Sequence, residues 1–135
     1  MICPVCGKDA LIIEYDNIEL DYCPECGGVW FDAGELELLL EAAGLGGNER
    51  FLDEVKNSPE ASINEKRRRC PVCLHKMVKV NIGGKEKIIT DVCKDGHGIW
   101  FDGGEVHSLI KTRMEIAPGT AGSKKVLGFI GDMFK

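Results

Sequence analysis

Two stretches set the reading: Cys23-Pro24-Glu25-Cys26-Gly27-Gly28, followed without a break by Val29-Trp30-Phe31-Asp32-Ala33-Gly34-Glu35. The second stretch returns as Ile99-Trp100-Phe101-Asp102-Gly103-Gly104-Glu105, displaced by 70 residues. Cys3-Pro4-Val5-Cys6 likewise returns as Cys70-Pro71-Val72-Cys73, displaced by 67. A repeat at fixed spacing means that one structural unit occurs twice, and it is sought before any local assignment. The second copy therefore carries three more residues between its landmarks, and they fall in its hairpin.

Each copy follows one plan. In copy one Ile18, Leu20 and Tyr22 alternate with Glu19 and Asp21, which is the period of a half-buried strand. Asp16-Asn17 predicts the turn before it. In copy two Val78, Val80 and Ile82 form one strand and Ile88, Thr90 and Val92 the other, with Gly83-Gly84 suited to a tight turn. A helix follows each hairpin. Asp32 with Glu35, and Asp102 with Glu105, have the spacing of a capping box. Leu36, Leu39, Leu40 and Ala43 mark one helical face, with Gly44 as its stop; Val106, Leu109 and Ile110 mark the corresponding face.

The cysteines supply the chemistry. Cys3 and Cys6 precede Cys23 and Cys26, two C-x2-C pairs separated by sixteen residues. Each pair wraps one edge of a tetrahedron, and the hairpin brings the two edges together around Zn²⁺. Copy two offers Cys70, Cys73 and Cys93. Cys23 precedes Trp30 by seven residues, as Cys93 precedes Trp100, so Gly96 falls where Cys26 stands. His97 is one residue further on, and an imidazole reaches farther than a thiolate. His97 is the expected fourth ligand, ahead of His75 and His107. Seven cysteines and one histidine then fill two tetrahedral sites, and two Zn²⁺ per chain are expected. With no basic or apolar leader at Met1-Ile2-Cys3, a cytoplasmic location is the expectation, and there clustered thiols hold metal in preference to forming disulfides.

Composition agrees. The chain has 135 residues, 17 glycines and 44% apolar residues. Divided between two halves, that apolar content makes small cores, for which a structural zinc, about 10–16 kcal/mol in small peptides, is a sufficient organiser. The expected units are residues 1–44, a linker 45–69, residues 70–114, and a joint with an amphipathic tail, 115–135. The linker carries Phe51, Leu52 and Val55 at helical spacing, and the tail carries Val126, Phe129, Ile130, Met133 and Phe134. The tail's apolar stripe is expected to pack on the chain itself, on a second copy as a homodimer, or, third, on a membrane surface.

The pattern C-P-x-C, hairpin, C-P-x-C-G-G-x-W-F-D-x-G-E-L resembles the transcription-factor-IIB-type zinc-ribbon (zinc-finger) family in two tandem copies. Copy one matches at Cys3, Cys6, Cys23, Cys26, Gly27, Gly28, Trp30, Asp32, Gly34, Glu35 and Leu36. Copy two matches at Cys70, Cys73, Cys93, Trp100, Asp102, Gly104 and Glu105, and departs at His97. The resemblance implies a small metal-bound α+β fold, two zinc ribbons each built of a β-hairpin with zinc knuckles and a short helix. It also implies a zinc-bound interaction module, by likeness to the ribbon through which a general transcription factor meets RNA polymerase.

Charge divides the function classes. The net charge is −5, distributed as −9 over residues 1–45 and +2 over residues 70–114. An acidic first half is a poor surface for phosphate backbones. The leading expectation is an adaptor that binds a protein partner through charge-distinct ribbons, with the linker long enough for both to engage at once. Nucleic-acid binding is the alternative, through a basic stripe of Arg67, Arg68, Arg69, Lys76 and Lys79. A rubredoxin-like iron carrier is the third reading, since thiolate tetrahedra also hold iron. No catalytic residues are expected. All seven cysteines are taken by metal, and the Asp and Glu of the Trp-Phe-Asp motif are assigned to helix capping.

Overall fold

The computed structural model describes residues 1–44, 55, 59–61, 67–82 and 87–116. The tail, the Gly83-Gly84 turn and all of the linker helix except Val55 lie outside these residues. In copy one β1 (Leu11–Tyr15) and β2 (Ile18–Tyr22) form an antiparallel hairpin. Its turn places both Asp16 (φ 48°) and Asn17 (φ 65°) in the left-handed region. Two positive φ angles are what a tight two-residue hairpin requires, and Asp and Asn tolerate them best after glycine. β3 (Val29–Asp32) pairs with β2, and α1 (Glu35–Ala42) follows. Copy two repeats the order with β4 (Val78–Asn81), β5 (Ile89–Val92), β6 (Gly98–Phe101) and α2 (Glu105–Ile116).

The two copies do not keep separate cores. β3 pairs antiparallel with β6, giving one six-stranded sheet in the order β1-β2-β3-β6-β5-β4. The register is Val29 with Phe101, Trp30 with Trp100, Phe31 with Ile99 and Asp32 with Gly98. Corresponding residues thus exchange places about a pseudo-two-fold axis through the Trp30–Trp100 pair. The physical reason is plain: in an isolated ribbon β3 would be an open edge, and the seam satisfies both edges at once.

Alternation then sorts the side chains onto two faces. One face carries Leu20, Val29, Phe31, Val80, Val92, Ile99 and Phe101 beneath the helices. It is a single apolar cluster, joined by Leu36, Leu39, Leu40 and Ala43 of the first copy and Val106, Leu109 and Ile110 of the second, as the helical spacing predicts. Phe31 and Phe101 meet edge to face across the seam, centroids 5.7 Å apart. The other face carries Trp30 and Trp100 with Cys3, Cys23, Cys70, Cys93 and Met77.

The Trp-Phe-Asp-x-Gly-Glu motif works differently from a capping box. α1 begins after Gly34, held at φ 90°, with no side-chain cap. Asp32 instead accepts the indole N–H of Trp30 at 2.9 Å, and Asp102 accepts that of Trp100 at 3.2 Å. A buried indole N–H needs an acceptor, and this carboxylate is two residues away on the same face. Half of the box survives in copy two, where the Asp102 N–H donates to Glu105 Oε1 at 3.1 Å. Glu35 instead accepts the Glu19 N–H at 3.3 Å.

Candidate metal centres

Each site grows from a knuckle turn. After Cys3 the chain folds back so that the Gly7 N–H donates to Cys3 O at 3.0 Å; Gly27 N–H does the same to Cys23 O at 2.8 Å. Gly7 (φ 74°) and Gly27 (φ 77°) supply the left-handed residue that ends each turn. In copy two Leu74 takes the first of these places at φ 65° and its N–H reaches Cys70 O at 2.9 Å. Amide groups also face the sulfurs, Val5 N–H to Cys3 Sγ and Val72 N–H to Cys70 Sγ, each 3.4 Å.

The ligand atoms converge as the spacing predicts. Cys3, Cys6, Cys23 and Cys26 form one group, and Cys70, Cys73, Cys93 and His97 the other, with the donor atoms of each group within 4.8 Å of one another. Cys3 and Cys26 sulfurs are 3.6 Å apart, Cys6 and Cys23 3.4 Å, and Cys73 and Cys93 3.7 Å. A tetrahedron with Zn–S bonds of about 2.3 Å sets sulfurs about 3.8 Å apart. A disulfide needs about 2.05 Å, and all seven cysteines are free. His97 Nδ1 lies 3.4 Å from Cys93 Sγ, close to the roughly 3.5 Å that mixed Zn–N and Zn–S bonds imply. The donor sets fit tetrahedral zinc.

The shift from cysteine to histidine has a local cause. In copy two Gly96 is the left-handed residue (φ 83°), and its N–H closes a tighter turn on Cys93 O at 3.0 Å. The turn ends one residue sooner than in copy one, and His97 reaches back to complete the set. Of its rivals, His107 is exposed on α2. His75 stands outside the four-donor set but beside it, with Nδ1 2.8 Å from Asp95 Oδ2 and both near Cys73 Sγ. That imidazole holds the Asp95 carboxyl below its usual range.

The thiols differ in acidity. Burial pushes Cys3 up to about 12 and Cys70 up to about 11. Burial acts the same way on Cys23, but the N–H groups of Cys26 and Glu25 and the Cys6 thiol outweigh it and leave Cys23 at about 7. Cys93 also falls to about 7, where the His97 backbone and ring overcome burial.

The seam locks the sites to each other. A Cβ on Gly28 would stand 2.1 Å from the Trp100 ring, and one on Gly98 2.5 Å from the Trp30 ring. Each indole therefore lies on the glycine of the opposite copy. Ala33 N–H donates to His97 O at 3.0 Å, and Gly103 packs on Cys26 O.

Sequence reasoning missed a buried charge network. Lys79, expected on the exposed basic stripe, is 3% exposed, and its Nζ is 2.8 Å from Oδ1 of Asp91, itself 1% exposed. Arg68 bridges Asp91 and Asp102, Arg67 pairs with Glu60, and Arg69 donates to Leu74 O. The stripe is therefore largely engaged within the chain. Burial raises the Asp91 carboxyl, partly opposed by Lys79 and Arg68. The available sequence signal was Lys79 facing Asp91 across a hairpin; nothing in the alternation showed that this face is covered.

Paired knuckles, a three-stranded unit and a closed four-donor set, all present twice, define a tandem zinc-ribbon protein with two Zn²⁺ per chain. Comparison with known families agrees: the transcription factor zinc-finger family, of the TFIIB zinc-ribbon type, matches residues 2–42 and 69–112, and the chain belongs to it. No curated protein and no solved structure matches the chain. Among the described residues no helix is long and apolar enough to cross a membrane.

Proposed function

We propose that this protein is a cytoplasmic, non-enzymatic adaptor whose two zinc ions hold a rigid surface for a protein partner. The observation that carries this reading is the closure of both sites: each is a complete set of four protein donors, the form taken by structural zinc. Catalytic zinc keeps a position for water or substrate. The family resemblance makes a transcription-related partner the first to be sought. The −9 charge of residues 1–45 and the internal pairing of Arg67, Arg68 and Lys79 favour protein over nucleic acid. Cross-linked capture on the zinc-loaded chain, beside a titration with mixed-sequence DNA and RNA at physiological salt, tests this. Zinc-dependent recovery of one protein species is the expected result. Sub-micromolar, salt-sensitive nucleic-acid binding would overturn it in favour of the nucleic-acid reading.

A further inference from the structure

One row of side chains crosses the whole metal face of the sheet. In register it runs Ile12, Asp21, Trp30, Trp100, Asp91, Lys79. About the axis through the two tryptophans, Asp21 corresponds to Asp91, and Ile12 to Lys79. Only the outermost pair differs in chemical kind. At the ribbon-two end the row is closed: Lys79 and Arg68 neutralise Asp91, and Arg68 also reaches Asp102. The Ala61 N–H lies along the open edge of β4 and donates to Lys79 O at 2.7 Å.

At the ribbon-one end the same frame holds no side-chain cation among the described residues. Asp21 and Asp32 correspond to Asp91 and Asp102, but no side-chain cation pairs with Asp21 among the described residues. Met1 takes the place of Arg68, its carbonyl accepting the Ala10 N–H as Arg68 O accepts that of Met77. Ile12 is 70% exposed, and Leu11 and Ile2 are exposed too. β1 is a terminal strand of the sheet, as β4 is. Burial and the Asp32 charge both raise the Asp21 carboxyl, opposed by the Met1 ammonium. An apolar edge strand beside two carboxylates that no side-chain cation pairs with among the described residues is an arrangement that sheet proteins ordinarily cover.

We propose that the β1 edge of ribbon one docks an extended protein segment carrying a lysine or arginine, whose cation sits between Asp21 and Asp32 beside Ile12. This rests on the adaptor reading and gives it a place and a partner chemistry. The occupant is inferred from the chain itself: at ribbon two a backbone N–H, that of Ala61, reaches the strand edge, and cations lie over the acid pair. Strand addition supplies main-chain hydrogen bonds, and the acid pair supplies selectivity for a basic side chain.

The test uses the zinc-loaded full chain, labelled for NMR, and a short capped peptide of alternating threonine and valine with a central arginine. Its control has norleucine in place of that arginine. The expected result is saturable shifts confined to Leu11–Tyr15, Asp21 and the Trp30–Asp32 segment, with the norleucine peptide at least about tenfold weaker. Asp21→Asn should weaken the arginine peptide about fivefold or more. Ile12→Lys, which gives ribbon one the cation that ribbon two has, should abolish binding while both zinc ions stay bound. Equal binding of the two peptides, shifts elsewhere, or indifference to Ile12→Lys overturns the proposal. So does concentration-dependent dimerisation through β1, which would make a second copy the occupant. The two readings fail separately. A captured partner that still binds the Ile12→Lys chain leaves the adaptor standing and removes this site. Peptide binding as described, with no partner captured, keeps the site and removes support for the adaptor.

Discussion

Trp30 and Trp100 stand directly opposite each other on β3 and β6, and each ring lies against the glycine two residues before the other tryptophan. The seam between the ribbons is therefore built from the motif that each ribbon carries. A Cβ on Gly28 would meet the Trp100 indole, and one on Gly98 would meet the Phe31 carbonyl oxygen at 2.3 Å as well as the Trp30 indole.

Gly28→Ala and Gly98→Ala should each destabilise the zinc-loaded protein by about 1–3 kcal/mol, the usual cost of overpacking. Because the seam is shared, each change should broaden NMR signals in both ribbons. Thermal unfolding and a heteronuclear spectrum check this. A shift confined to the mutated ribbon would mean that the seam is not a shared interface.

The buried Lys79–Asp91 pair should show the asymmetry of buried charge. Asp91→Leu or Lys79→Met alone should cost about 3–5 kcal/mol, since each leaves a buried charge without its nearest partner. The pair replaced together by apolar residues should recover most of that loss. Chemical denaturation of the four proteins completes the cycle. Additive single and double effects would show that the pair is not coupled.

Zinc loading should release protons from Cys26, which burial raises, and from Cys3 and Cys70, where they are held most firmly of all. With pKa values of about 12 and 11 in the metal-free fold, both thiols hold a proton at pH 7.5, and zinc binds thiolate. Cys23 and Cys93, at about 7, are mostly ionised there and release less. Calorimetry in buffers of different ionisation enthalpy should find about three or more protons released per chain. Affinity therefore falls as pH falls. Loading without proton release at pH 7.5 would contradict these assignments.

His97→Ala should reduce the zinc content from two per chain to one, while His75→Ala and His107→Ala keep both. Elemental analysis of the purified variants reads this directly. The Ala33 N–H donates across the seam to the backbone carbonyl of His97, which alanine keeps, so any effect of His97→Ala on ribbon one should come through loss of the second zinc and movement of that backbone.

Much of this was legible in the sequence. The repeat, the eight ligands, the Asp16-Asn17 turn and the buried faces of both helices follow from spacing and period, because ligand geometry and alternation act over a few residues. The seam was not legible. It joins residues 29–32 to 98–101, and no local pattern says which edge finds which. Asp32 was misread because Asp-x-x-Glu before a helix has the same spacing whether the carboxylate serves the helix or the Trp30 indole. Lys79 was misread because an alternating hairpin shows which residues share a face, but not whether that face meets water.

A pseudo-two-fold seam inside one polypeptide is a homodimer interface made covalent. Because Trp30 meets Trp100 and Val29–Phe101 mirrors Ile99–Phe31, two identical ribbons could make the same contact through the same residues. Tethering the halves raises their effective concentration and removes the need for a free partner. It also frees each half from having to match itself. Lys79 can appear at one end of the sheet and Ile12 at the other, and His97 in one knuckle where Cys26 serves in its counterpart. Symmetric at its centre and asymmetric at its rims, the molecule can keep one half closed and specialise the other.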